Sequence, residues 1–190
     1  MKHAVVLEDF NCRLRPVCPE DAEFIIQART QERAVGKIGL TSDLISDQVA
    51  WINRYLNRAN DYYWIIECVS TGKAIGAIGL YDITQDGLEA MPGRWVMMPQ
   101  VAVSAMAPIF LMYRFAFESL GIRRLVISVM PENHQVRRFH ERICGAHAME
   151  VPERYAEAER SGAVQQCWFE FLLEDWLRMK ADWTPILSAF

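Results

Sequence analysis

Asn133 and His140 stand seven positions apart, with Arg137, Arg138 and Arg142 among and just beyond them. Near its ordinary pKa of about 6.5, an imidazole can give a proton to a departing group at neutral pH. The Asn133 amide can hold a ligand or cap the helix that follows. The three arginines can meet phosphate or form a solvated helix face, and Arg137 with Glu141 is an i,i+4 pair in the less favourable order. Earlier in the chain, Gln100, Val101, Ala102, Val103, Ser104 and Ala105 precede Pro108. Glu67 and Glu89 are candidate general bases, or plain surface carboxylates. Trp51, Trp64 and Trp95 can line an aromatic cleft or fill the core. Cys12, Cys18, Cys68, Cys144 and Cys167 form no CxxC pair. No Cys/His cluster has ligand spacing, so no metal is expected. Cys144 sits in apolar company with nothing to lower its pKa, so no nucleophile is assigned.

These groups need elements to hold them. Residues 10–17 alternate apolar and polar as a first strand. Pro19 and the acids after it open a helix to about residue 33. Residues 34–46 read as a loop, and a second helix starts at residues 46–48. Residues 62–69, 74–83 and 88–98 read as three strands joined by turns at 70–73 and 84–87, an antiparallel meander. A third helix spans about residues 108–120, with Pro108 in its first turn. Gly121 is its expected cap, at positive φ. Residues 125–130 are a strand buried on both faces, 134–143 a fourth helix stopped near Gly145, and 147–155 and 164–173 a last extended pair. This order argues α+β rather than a doubly wound nucleotide fold.

The 190 residues suit one domain, residues 1–190, and 52% hydrophobic with 23% charged residues excludes disorder. A net charge of −4 argues against a general nucleic-acid binder and mildly favours a cationic partner through long-range steering. Prolines inside the longest apolar stretch, residues 96–113, argue against a membrane span. Reduced thiols and the short apolar run at residues 4–7 point to a cytoplasmic protein.

The order of elements, with two segments, resembles the GNAT superfamily of N-acetyltransferases. Phe115-Ala116-Phe117-Glu118-Ser119-Leu120-Gly121-Ile122-Arg123-Arg124-Leu125 is similar to one family segment. Asn133 through Phe139, His140, Glu141 and Arg142 to Gly145-Ala146 is similar to another. Arg13-Leu14-Arg15-Pro16, Val151-Pro152-Glu153-Arg154-Tyr155 and Phe171-Leu172-Leu173-Glu174-Asp175-Trp176 resemble the branch that holds ribosomal-protein N-terminal acetyltransferases.

The resemblance implies a mixed, mostly antiparallel central sheet flanked by helices, with acetyl-CoA as co-substrate. It implies a splayed strand pair, residues 94–98 and 125–130, whose edge at Val96, Met97 and Met98 binds the pantetheine arm. Residues 100–105 would hold the pyrophosphate, and Asn133 and Arg138 would touch the cofactor. His140 stands where the family often has a tyrosine acting as general acid, and Glu89 is the candidate base. The acceptor implied is an amine: a protein N-terminus, an amino sugar or another small amine. No nucleic acid or membrane partner is implied, and a homodimer is compatible. One departure stands out, because Val103 occupies the place of a loop glycine. Valine does not easily take positive φ, which motivates an alternative reading as a non-catalytic, binding or regulatory member.

Overall fold

The computed structural model describes residues 4–32, 34–99, 103–161 and 165–189. Strands β1 (Leu7–Asp9) and β2 (Cys12–Pro16) form a hairpin through Phe10 and Asn11, both at positive φ. A two-residue turn with both centres left-handed matches strand twist, which is why Asn11 fits there. The expected strand at residues 10–17 is β2, shortened by the turn at Phe10 and Asn11, and β1 precedes it.

The meander is β3 (Tyr62–Cys68), β4 (Lys73–Tyr81) and β5 (Glu89–Met97), antiparallel throughout. In β3, Trp64, Ile66 and Cys68 enter the main core, while Tyr63 and Ile65 enter a second core on the opposite face. That is the period-2 alternation of a sheet buried on both sides. Between β4 and β5 the register slips: Ala77 pairs with Val96 but Gly79 with Gly93. Ile78 thus faces two residues, Arg94 and Trp95, and Arg94 takes φ of 52°. This is a β-bulge, a device that bends a strand and re-aims its side chains. Gly76 makes room beside it, since a Cβ there would lie 2.4 Å from the Val96 carbonyl oxygen.

β6 (Arg124–Val129) is parallel to β5, but the pairing covers only Glu89 with Arg124 and Ala90 with Leu125. Beyond those pairs the two strands part. β7 (His147–Met149) and β8 (Cys167–Leu172) complete an eight-stranded sheet of order β1-β2-β3-β4-β5-β6-β8-β7.

Helices α1 (Ala22–Arg29) and α2 (Ile45–Tyr55) cover the second core. α3 (Met106–Arg114) is buried around most of its girth, as a central helix must be. It starts two residues before Pro108 and runs on as a wider π turn, Phe115–Ser119, to Gly121 at φ of 74°. α4 (His134–Arg138) likewise widens through Phe139–Cys144 before Gly145 at φ of 78°. α3, α4 and a C-terminal α6 (Leu173–Leu187) share the main core.

Three expectations change. α1 ends at Arg29, not near 33, after a 3-10 turn at Pro19–Asp21. Residues 147–155 are strand only to Met149; Pro152 then opens α5 (Glu153–Arg160), rich in Glu, Ala and Arg, which favour helix. The last extended segment, expected over 164–173, stops at Leu172, because α6 starts at Leu173 and buries Trp176, Met179, Trp183 and Leu187 at spacings of three and four. No helix among the described residues is long and apolar enough to cross a membrane.

Candidate active site

The parting of β5 and β6 leaves an open strand edge. Met98 N–H bonds the Ile75 carbonyl at 2.7 Å, and antiparallel pairs alternate between bonded and unbonded. Val96 and Met98 therefore turn their backbone groups toward β4, and Met97, between them, turns its own toward the gap. Of the three residues expected at this edge, Met97 is the one whose backbone groups face the gap.

On the main-core face of β5, Trp95 packs on Phe139 of the α4 extension, with ring centroids 5.3 Å apart. His140 follows Phe139 and is 6% exposed. Burial alone lowers its pKa to about 4, so the imidazole is neutral at pH 7. This corrects the expectation of a histidine near its ordinary pKa. Trp95 Nε1, His140 Nδ1 and the Tyr113 hydroxyl are all buried without a hydrogen-bond partner among the described residues. Buried polar groups are nearly always paired, and each unpaired one costs about 1–3 kcal/mol.

Other expected site residues are already occupied. The Asn133 carbonyl oxygen accepts from Val136 N–H at 3.3 Å, capping α4, and its amide donates to the Lys37 carbonyl at 3.1 Å. Asn133 thus ties the 34–44 loop to α4, a structural role. Arg138 is exposed on α4. Gln100, Val101 and Ala102 lie outside the described residues. Val103 is 6% exposed, with its side chain in the main core. Its bulk therefore goes into the core. Ser104 Oγ accepts from Met106 N–H at 3.3 Å, and Ala105 is exposed beside it at the start of α3.

Glu89 does not join this group. It sits at the closed end of the gap, where β5 and β6 still pair, and its carboxylate accepts from Arg124 and, at 2.7 Å, from Arg154. With one oxygen on each guanidinium, the carboxylate is already engaged on both sides. Glu67 is similarly held by Arg15 at 2.6 Å in the β2–β3 pair.

Across the sheet, the bulge sends Arg94 toward α1 and α2. Its guanidinium is bidentate on Asp61, at 2.5 and 2.9 Å. It also lies 4.3 Å from the Tyr81 ring centroid and 5.3 Å from those of Trp51 and Tyr63. Burial opposes its charge, but the Asp61 carboxylate outweighs that and its pKa is raised. Arg94 forms one wall of a cavity of about 420 Å³, with Arg29, Thr41, Asp47, Trp51 and Tyr63 among the others. Burial raises the Tyr63 pKa, so its hydroxyl stays protonated. Of the three tryptophans singled out, Trp64 is core, with its indole N–H on the Val5 carbonyl. Trp51 lines this cavity, and Trp95 borders the gap. Sequence reading missed Arg94 and Asp61, which lie far apart in the chain; the signal nearest at hand was Trp51 and Tyr55 at i,i+4.

A family model described as an acetyltransferase (GNAT) domain matches residues 11–146. The structure is similar to that of FdhC, described as a nucleotide-linked sugar GNAT, with TM-score 0.80 and 24% identity over 97% of this chain and 99% of that one. A GCN5-related N-acetyltransferase from Brucella melitensis gives 0.78 and 19%, over 97% and 86%. A spermidine N-acetyltransferase variant from Vibrio cholerae gives 0.67 and 15%, over 89% and 98%. No curated protein matches the sequence.

Proposed function

The chain belongs to the GNAT acetyltransferase family, and on that premise we propose that it moves an acetyl group from acetyl-CoA directly to an amine. The observation that carries this reading is the strand gap. β5 and β6 pair through two residues and then separate, beside two buried ring nitrogens that have no partner among the described residues. A thioester co-substrate with an amide-bearing arm suits such a site, and it supplies the activated acetyl group.

The residues of this chain then have distinct tasks. The edge of β5 at Met97 faces the gap and lines the path of the arm. The start of α3, with Ser104 and Ala105, offers N–H groups and the positive end of a helix to phosphate. Trp95 Nε1 and the His140 ring give donors inside the apolar wall. His140, being neutral, acts through its N–H as a hydrogen-bond donor to the leaving sulfur, and its ring keeps water from that side. The amine enters from the α1–α2 face through the cavity beside Arg94. Its proton leaves to solvent, since Glu89 and Glu67 are both engaged elsewhere. The approach of two reactants from opposite faces of one bulged strand is a matter of orientation, which alone can contribute several kcal/mol.

The described neighbours differ in acceptor, a nucleotide-linked sugar in one case and spermidine in another. Transfer to nitrogen asks only for an amine at the gap, so chemistry there does not separate such acceptors. The first test is thermal: acetyl-CoA at 100 times its Kd stabilises a protein by about 2.7 kcal/mol. Release of the CoA thiol in the presence of amines then measures transfer. An unchanged melting temperature at millimolar acetyl-CoA would sink the reading.

A further inference from the structure

The α1–α2 cavity contains more hydrogen-bond donors than acceptors, and this identifies what enters it. Arg29, the last residue of α1, is half-buried and held in place by the loop that follows. Its Nε donates to the Thr41 hydroxyl at 2.6 Å, and one Nη donates to the Gly39 carbonyl at 3.1 Å. Its remaining N–H groups are left for a ligand, on a guanidinium that has already lost its freedom to move. Because Thr41 Oγ accepts from Arg29, its own O–H proton is free to donate. Arg54, one turn from Ala50 and Trp51 on α2, also lines the cavity, and its side chain makes no hydrogen bond or ion pair among the described residues. The Tyr63 hydroxyl reaches the same space, also without a partner among the described residues.

Against these donors stands one carboxylate, Asp47, which already accepts from the Ser42 hydroxyl at 2.7 Å. Arg94 is neutralised by Asp61. The cavity therefore carries two uncompensated guanidiniums and one carboxylate. A polyamine would meet Arg29 and Arg54 as like charges. A neutral amine would leave the fixed Arg29 unanswered in a half-buried place. Phosphate oxygens answer it, since guanidinium donors match them in pairs. The overall net charge of −4 gave mild support to a cationic acceptor, but the field inside the cavity has the opposite sign.

We infer that the acceptor is an amine that also carries a phosphate or diphosphate ester, bound with its phosphate on Arg29 and Arg54, Thr41 and Tyr63. This deepens the acetyl-transfer reading above and rests on it. Asp47 is placed to meet a hydroxyl or the amine on the way to the gap, and Trp51 supplies an apolar wall.

The test compares glucosamine, glucosamine 6-phosphate, a nucleoside-diphosphate amino sugar and spermidine as acceptors, by CoA thiol release. At least one phosphorylated amine should exceed glucosamine tenfold or more in kcat/KM, with the advantage falling as salt rises. The two phosphorylated acceptors separate a monophosphate from a diphosphate site. R29Q and R54Q should each erode that advantage, with stabilisation by acetyl-CoA as the check that the fold is intact. As a readout apart from turnover, the phosphorylated amines should raise the melting temperature further in saturating acetyl-CoA, and glucosamine should not. Equal rates with and without phosphate, a preference for spermidine, or no added stabilisation by either phosphorylated amine would overturn this inference. Those outcomes leave acetyl-CoA binding untouched, whereas failure to bind acetyl-CoA at all would strike the earlier reading instead.

Discussion

Arg94 and Trp95 are adjacent on β5 and face opposite sides of the sheet, and their surroundings differ in kind. Arg94 has every need met: two hydrogen bonds to Asp61 and aromatic rings on several sides. Trp95 packs on Phe139, but its indole N–H is buried with no acceptor, as are His140 Nδ1 and the Tyr113 hydroxyl nearby in the same core. The bulge that separates the two residues thus divides a completed wall from an incomplete one. A completed wall holds its shape before anything binds. An incomplete one stores a penalty that a ligand with matching groups can relieve. On this reading, the acceptor side of β5 is preformed and the thioester side is finished by its ligand.

The sharpest way to break the completed wall is Asp61→Ala, which leaves Arg94 buried without its carboxylate. Removing one partner of a buried pair costs about 3–5 kcal/mol, measurable by urea unfolding at pH 7. A loss under about 1 kcal/mol would mean that the aromatic rings alone hold the guanidinium.

On the incomplete side, His140→Phe keeps a ring and removes the donor. The maximal rate should fall roughly 10- to 1000-fold while the KM for acetyl-CoA changes little. His140→Tyr should retain much of the rate. If the Phe variant matched the parent, His140 would be packing only.

The same residue gives a pH signature. Its folded pKa, about 4, lies below its unfolded value of 6.5. Between those values the unfolded chain binds a proton that the folded chain refuses, so stability falls as pH drops from 6.5 to 4. Above 6.5 the residue contributes no pH dependence. The full loss from this group is roughly 3 kcal/mol. Unfolding curves at pH 7 and pH 5 should differ less in His140→Phe than in the parent; an equal difference in both would place the pH response elsewhere.

The smallest effect separates the two sides most finely. Trp95→Phe removes an orphaned N–H, so stability should stay within about 1 kcal/mol of the parent, lost contact area being balanced by the removed penalty. Acetyl-CoA affinity should nevertheless weaken. A variant that unfolds readily but binds as well as the parent would reverse the comparison.

Much of the fold follows from short-range rules that the chain states openly. The meander turns, Gly121 and Gly145 at positive φ, Pro108 in a first turn and the alternation in β3 are each decided within a few residues. α5 and α6 follow the same rules, through Pro152 and the spacing of Trp176, Met179 and Trp183, although strand-like apolar residues precede both. The segments 115–125 and 133–146 also carry the family resemblance in sequence order alone.

What only the tertiary structure decided is where polar groups end up relative to one another. His140 reads as an ordinary histidine until Phe139, Trp95 and the core remove its water and lower its pKa. Glu89 reads as a free carboxylate until β6 and α5 bring Arg124 and Arg154 to it. Met97 differs from Val96 and Met98 only through its register against β4. The Arg94–Asp61 pair joins residues 33 positions apart. Composition and spacing fix which groups are available, but desolvation and charge pairing act through space, so the chemistry of each group waits on its neighbours.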